Sequence, residues 1–345
     1  MTAASPVPLV PRGALLVVHA HPDDETLATG GLLATWAASG EHVTLVTCTR
    51  GERGEVIGDE LAHLEGDGAA LAAHREEELV VALDALGVQE HVYLDQLGAP
   101  GGPHDADAPH RYEDSGMAWV GDDAAGLSGQ AGAAAVLPAN ALVAGSVDEQ
   151  ATRLAELVRV RRPAVVVTYE PGGGYGHPDH VRAHEITMRA LALATEPSSA
   201  SPAHAPEDVW WAVVPAQTLR RARAALGDAV RAGTLAAEST MLPDPDGPLP
   251  ALAADLYPPE IVVDTRPVLG QVETALRAHA TQVHAVGRLA PDNGVGPDDT
   301  DAPVLVGAYA LSNDILVPWV AHEHYARATP RSASRPVQPA PSVER

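Results

Sequence analysis

The stretch Ala14-Leu15-Leu16-Val17-Val18-His19-Ala20-His21-Pro22-Asp23-Asp24-Glu25 decides how this chain is read. Its first residues form an uninterrupted apolar run, the pattern of a strand buried on both faces of a parallel sheet. A proline-kinked turn then presents a histidine and two adjacent carboxylates. Over residues 25–39, Leu32, Leu33, Trp36 and Ala37 recur at helical spacing, and Gly40 supplies a stop. Residues 42–48 are rich in β-branched side chains and predict a second strand. Together they make a βαβ unit with a right-handed crossover. In such folds the loops leaving the C-terminal ends of the strands face the crevice where chemistry is mounted.

Downstream, residues 49–59 read as a charged, glycine-punctuated loop. Residues 74–86 read as a helix with Leu79, Ala82, Leu83 and Leu86 on one face, and 92–94 as a short third strand. Periodicity is lost over 98–146. A loop of that length is functional or disordered, and order is expected through Met117, with mobility over 118–145. A helix over 147–161 aligns Ala151, Leu154, Ala155 and Val158 and ends before Pro163. A buried strand over 164–169 follows, then Gly172-Gly173-Gly174-Tyr175-Gly176-His177-Pro178-Asp179-His180 and a helix over 179–194. Beyond a linker-like tract at 198–206, strands are expected at 209–214 and 260–263, with helices at 217–231 and 267–283. Residues 1–12 and 329–345 are expected to be disordered. The expected architecture is α/β: a Rossmann-like, mainly parallel sheet flanked by helices over 13–195. A smaller C-terminal α/β portion over 207–328 completes the pocket of the same domain.

The 345 residues suffice for well-buried cores. Acidic residues number 46 against 22 basic ones, all of them arginine, for a formal charge of -24. That charge repels a phosphate backbone and argues against nucleic acid as a partner. The lack of lysine and phenylalanine beside abundant Ala, Gly and Pro fits GC-rich coding. Cys48 is the lone cysteine, so neither an intrachain disulfide nor a cysteine-based zinc knot is available. Residues 1–12 lack a basic and apolar leader pattern, and the run at 14–18 is too short to span a bilayer. A cytoplasmic protein without a membrane partner is expected.

His21, Asp23 and Asp24 lie within four residues, and His177 and His180 are three apart. A catalytic zinc site takes three nitrogen or oxygen ligands and keeps one position open. One histidine and one carboxylate from the first turn and one histidine from the second meet that number, leaving a carboxylate to act on water. The competing reading of either turn is a capped helix start, with Asp as the N-cap. Both turns follow predicted buried strands, which favours one metal site closed from two sides. Spacing leaves open which acid binds metal, and it leaves open His177 against His180, because residues three apart share a helix face.

The motifs Ala20-His21-Pro22-Asp23-Asp24-Glu25 and His177-Pro178-Asp179-His180 resemble the LmbE/PIG-L family of metal-dependent N-acetylglucosamine deacetylases. The resemblance is nearest to the branch acting on N-acetylglucosaminyl-inositol in mycothiol biosynthesis. Supporting stretches are Val46-Thr47-Cys48-Thr49, Gly54-Glu55-Val56-Ile57-Gly58-Asp59, Asp114-Ser115-Gly116-Met117-Ala118 and Ala278-His279-Ala280-Thr281-Gln282-Val283. The resemblance implies His21, Asp24 and His180 as ligands of one divalent metal per chain, Zn²⁺ first and Fe²⁺ second. It implies Asp23 as general base, His177 and Tyr175 beside the developing oxyanion, and Arg75, Asp114 and Glu55 as contacts to the sugar. The segment 119–143 looks longer than that pattern needs. The implied reaction is amide hydrolysis releasing acetate, with the leaving amine protonated by Asp23 or His177.

Other residues have plainer readings. His19 is expected in the core or behind the ligands, His184 on a helix face, and His322 and His324 in a C-terminal packing segment. Cys48 is expected to be buried and inert. The glycine run lacks the Lys and Ser/Thr of a phosphate loop and serves a tight turn instead. Competing functions are an amidase of mycothiol S-conjugates, a two-metal phosphoesterase, for which no second ligand set is found, and a non-enzymatic sugar-binding module.

Overall fold

The computed structural model describes residues 7–98, 111–119, 131–237, 239–250, 252, 256–290 and 305–328. The chain begins with β1 (Val7–Pro8), β2 (Leu15–His19), α1 (Asp24–Ala38), β3 (Val43–Thr47), α2 (Gly68–Leu86) and β4 (Glu90–Tyr93). Next come β5 (Met117–Trp119), β6 (Ala131–Ala133), α3 (Val147–Arg161), β7 (Val165–Tyr169), the single turn α4 (Gly173–Gly176) and α5 (Pro178–Ala194). The remainder holds β8 (Asp208–Val213), α6 (Ala216–Arg231), β9 (Ile261–Asp264), α7 (Leu269–Ala278) and β10 (His284–Arg288). It closes with β11 (Leu305–Ala310), β12 (Leu316–Val320) and β13 (His322–Arg327).

One sheet runs β1-β9-β13-β8-β7-β2-β3-β4. Its pairs are parallel except at β13, which is antiparallel to both β8 and β9. Every residue of β2, β3 and β7 is buried. The alternation of a strand sends Leu15 and Val17 to one face, where they pack with Leu32, Trp36, Leu79 and Val272 of α1, α2 and α7. Leu16 and Val18 pack on the other face with Leu154, Ile186 and Ala190 of α3 and α5. This two-sided covering is why those strands read as continuous apolar runs. β2 pairs with β3 on one side and β7 on the other, so the chain reverses direction across the sheet there. The C-terminal ends of β2 and β7 therefore open onto a shared crevice.

Several expectations need correction. Residues 1–12 are not uniformly disordered: β1 pairs with β9, and the Leu9 amide donates to Val262. α2 begins at Gly68 rather than residue 74, because the Asp67 side chain caps it by accepting from the Ala70 amide at 3.0 Å. α7 stops at Ala278 rather than 283, where His279 leaves helical geometry. Within 98–146, β5 and β6 pair, and Ala131, Ala141 and Leu142 are buried. Arg182 of α5 holds that segment by donating to the Gly145 and Val143 carbonyls at 2.8 Å each. Expected disorder over 329–345 and mobility over 120–130 fall outside the described residues. The strands over 284–327 were not anticipated, and His322 and His324 lie on one of them, β13.

β13 also locks α1. Glu323 accepts from the amides of Gly31 at 2.7 Å and Leu32 at 2.9 Å. A Cβ on residue 31 would lie 2.8 Å from Glu323 Oε1, with Thr265 closer still, so only glycine permits this approach. Gly31→Ala is expected to destabilise the fold by about 1–3 kcal/mol through overpacking, measured as a lower urea midpoint at unchanged slope.

Candidate metal-dependent active site

The two crevice-facing turns are braced before any ligand is considered. The Tyr169 hydroxyl, at the end of β7, accepts from the Ala20 amide at 2.9 Å, fixing the exit of β2. The Glu170 carboxylate accepts from the Gly174 amide at 2.8 Å and also from Gly172, shaping the glycine run. Gly173 has φ +66°, and a Cβ there would sit 2.7 Å from the Val181 amide nitrogen. Gly176, at φ +93°, would meet the Ala131 carbonyl at 2.7 Å, which brings β6 against the loop.

Neither Asp of the two turns caps its helix. Asp23, at the N-cap of α1, makes no side-chain cap bond. At α5 the His177 side chain is the cap: its Nδ1 accepts from the Asp179 amide at 3.1 Å. The carboxylates are thereby free for other work, which removes the helix-capping alternative.

The fold brings His21, Asp24, His177 and His180 together, all buried. Asp24 lies between two histidines, 3.3 Å from His21 Nδ1 and 3.2 Å from His180 Nε2. Each imidazole is oriented from its far side. His180 Nδ1 lies 3.2 Å from the Gly173 carbonyl, which can only accept, so Nδ1 carries the proton and Nε2 presents a lone pair. That Nε2 is buried without a hydrogen-bond partner. His21 Nε2 lies 3.2 Å from Asp179 Oδ2, which also accepts the Ser115 amide at 2.9 Å, leaving Nδ1 turned to Asp24. Outer carboxylate and carbonyl partners of this kind set the tautomer of metal-ligating histidines.

Among the described residues, groups with ligand atoms within 4.8 Å of one another are His21, His177 and His180, and His21, Asp114 and Asp179. Neither group includes Asp24, so the set His21, Asp24 and His180 rests on the Asp24 contacts to both rings and on the tautomers. Asp179 holds His21 from behind, and His177 Nδ1 is committed to an amide. Aimed lone pairs or anionic oxygen remain at His21, Asp24 and His180. Burial opposes charge on His21, but Asp114, Asp179 and Asp24 outweigh it and hold the imidazole well above its ordinary pKa. Burial raises Asp24, yet His180 and His21 bring its carboxyl well below the usual range. A divalent cation would supply the positive charge that these carboxylates otherwise draw from a proton, so the donor set fits a metal.

Asp23 stands beside this set at φ 110°, ψ -37°, a conformation that costs a non-glycine residue on the order of 1–3 kcal/mol. Its amide donates to Glu25 Oε2 at 2.9 Å, and its carboxylate lies 3.3 Å from Arg75. Burial lifts its carboxyl to about 6, opposed by Arg75. Such a group is poised as a base near neutrality. His177 is pushed well below its ordinary pKa by burial and by His21 and His180, so it is neutral with its proton on Nε2. Its ring centroid is 4.6 Å from that of His21. Burial raises the Tyr175 phenol well above its usual pKa, and its ring lies 5.1 Å from His180, so it remains a protonated donor.

The expected sugar contacts divide. Asp114 is buried 3.7 Å from His21 Nε2 and accepts from the Gly116 amide at 2.8 Å. Arg75 is buried, donating to the Gly51 and Pro22 carbonyls beside Asp23. Glu55 is exposed, and its backbone carbonyl, rather than its side chain, meets Gln282 at 3.1 Å. His19 is core, with Nε2 2.9 Å from Thr29 Oγ1, and His184 is buried against the Tyr169 carbonyl at 2.9 Å. Cys48 is wholly buried, which pushes its thiol pKa up. Asp179, Ser115 and Glu170 brace the two turns, and sequence reasoning gave them no role. Asp179 is inside the quoted motif, and Glu170 directly precedes the glycine run, which was the available signal.

An α/β sheet carries this histidine-carboxylate site at its switch point, and the relatives of the chain are deacetylases. Residues 16–191 match the family described as PIG-L, GlcNAc-PI de-N-acetylase, and the chain belongs to that family. It is 42% identical over 315 residues to the 1D-myo-inositol 2-acetamido-2-deoxy-alpha-D-glucopyranoside deacetylase of Kineococcus radiotolerans, covering 90% of this chain and 76% of that one. The protein of the same name from Nocardioides sp. is 41% identical over 284 residues, covering 82% and 87%. Among solved structures, N,N'-diacetylchitobiose deacetylase from Pyrococcus horikoshii aligns at 18% identity and a TM-score of 0.46, covering 78% of this chain and 70% of that one. No helix of the described residues is long and apolar enough to cross a membrane.

Proposed function

We propose that this chain hydrolyses the N-acetyl group of 1D-myo-inositol 2-acetamido-2-deoxy-alpha-D-glucopyranoside, yielding glucosaminyl-inositol and acetate for mycothiol biosynthesis. The observation that carries the chemistry is the aimed set His21 Nδ1, Asp24 and His180 Nε2 with a second carboxylate, Asp23, beside it. The substrate is inferred from the relatives that carry that activity in their names. His21, Asp24 and His180 would hold one divalent ion, Zn²⁺ or Fe²⁺, since these ligands suit both. When bound, that ion lowers the pKa of water and polarises the acetyl carbonyl.

Asp23 takes the proton of the attacking water as the new C–O bond forms. Tyr175 and His177 Nε2 donate to the oxygen that gains negative charge, each such donor contributing about 3–4 kcal/mol. Collapse breaks the C–N bond, and Asp23 returns its proton to the leaving nitrogen. His177 is a poor source of that proton because its ring is neutral with a lowered pKa. Asp114, buried beside His21, would bind a sugar hydroxyl. Arg75 orients Asp23, and its part in sugar binding is secondary because its donors are turned inward.

Acetate release from this substrate is expected to stop on chelation and to return on adding Zn²⁺ or Fe²⁺ alone. Turnover that persists through exhaustive chelation would refute the metal assignment. A strong preference for a bulky mycothiol S-conjugate would refute the substrate.

A further inference from the structure

The motif Ala278-His279-Ala280-Thr281-Gln282 has no part in the chemistry above, yet its side chains converge on the site from more than 250 residues downstream of Asp23. His279 and Glu25 are both fully buried and meet at 2.7 Å between Nε2 and Oε1. The other oxygen of Glu25 accepts the Asp23 amide at 2.9 Å. Thr281 donates from its amide and hydroxyl to Glu78, at 2.7 and 2.6 Å. Glu78 lies one turn beyond Arg75 on α2, and Arg75 faces the Asp23 carboxylate. The same turn accepts the Ile57 amide at the Thr281 carbonyl, 3.0 Å away. One turn thus bonds to Glu25, which holds the Asp23 amide, and to Glu78, on the helix that carries Arg75.

We infer that Glu25 and His279 are positioning residues that hold the Asp23 backbone in its left-handed conformation and so aim the carboxylate at the reacting water. One oxygen of the buried Glu25 carboxylate meets His279 and accepts from the Thr26 hydroxyl, and the other is given to the strained Asp23 amide. Without that acceptor, the positive φ, disfavoured for any side chain but glycine, is left with the Asp23 carbonyl bonds from the Thr26 and Leu27 amides at 2.9 Å each and the Arg75 contact, none of which engages the strained amide. Relaxation would swing the carboxylate away while leaving the metal ligands on their own supports, Asp179 for His21, the Gly173 carbonyl for His180 and the His21 amide for Asp24. The inference rests on the proposed role of Asp23 as base.

A double-mutant cycle tests it. Glu25→Ala is expected to lower kcat by about 100-fold, the effect of misplacing a reacting group by an ångström, with KM and metal content held within about threefold. Glu25→Gln keeps an acceptor for the Asp23 amide and is expected to restore most of the rate. In an Asp23→Ala background, which lacks the base, Glu25→Ala is expected to change the residual rate by no more than about threefold. An equal loss in both backgrounds, or an unchanged kcat in the first, would overturn the inference. If Glu25→Ala does not fold, His279→Gln is judged by the same cycle and the same outcomes. Failure of the unsubstituted enzyme to release acetate would count against the proposed substrate instead. The crystal structure of the Glu25 or His279 variant then decides: relaxation of residue 23 to negative φ supports the inference, and retention of its angle overturns it.

Discussion

Asp23→Ala is expected to lower kcat by about 10²–10⁴-fold with metal content unchanged, the range that a positioned general base contributes. The carboxylate is not among the groups aimed at the metal, so its loss should leave the ion in place. Steady-state acetate release paired with metal analysis checks both halves. The pH dependence has a definite sign. Asp23 acts ionised, so kcat/KM falls as pH drops through its pKa, which burial lifts to about 6 and Arg75 opposes. A cation held at Asp24 lowers that value further, placing the acid limb at or below about 6. In Asp23→Ala this limb should vanish from the residual activity. An intact limb would assign it to another group and remove Asp23 from the role.

His180→Ala is expected to abolish stoichiometric metal binding and to lower kcat by at least about 10³-fold, equivalent to ~4 kcal/mol of lost transition-state stabilisation. Two protein ligands, His21 and Asp24, would remain where a catalytic site needs three. His177→Ala makes the informative contrast. Its Nδ1 is occupied by the Asp179 amide, so its loss should reduce kcat by about 10²–10³-fold as a missing oxyanion donor while metal stays bound. Metal analysis of the two variants separates the histidines that spacing alone left equivalent. Retained metal in His180→Ala together with loss in His177→Ala would reverse the assignment.

Much of the site was legible because its halves sit in short local patterns. The apolar run before His21 and the run before Glu170 are buried on both faces, and such strands announce themselves without long-range information. The proline and glycines after them mark where the backbone must turn. The ligand tautomers were not legible, because they depend on which acceptor stands behind each ring. Asp179 behind His21 is separated from it by 158 residues, and no periodicity records that contact. Glu55 belongs to a motif that resembles the family, and its side chain is exposed.

Local sequence determined the α/β class, the parallel run of β2, β3 and β7, and the placement of both His-Pro-Asp turns at strand exits. Burial on a strand or helix face is written in residue spacing over a few positions, so these features need no distant partner. Only the tertiary structure decided that β13 enters the sheet antiparallel between β8 and β9, since strand pairing is a choice among distant edges. It also decided which carboxylate lies between His21 and His180, and that Glu25, bonded to His279, accepts the Asp23 amide. Those outcomes depend on hydrogen bonds between segments remote in the chain, whose geometry exists only once both cores have packed.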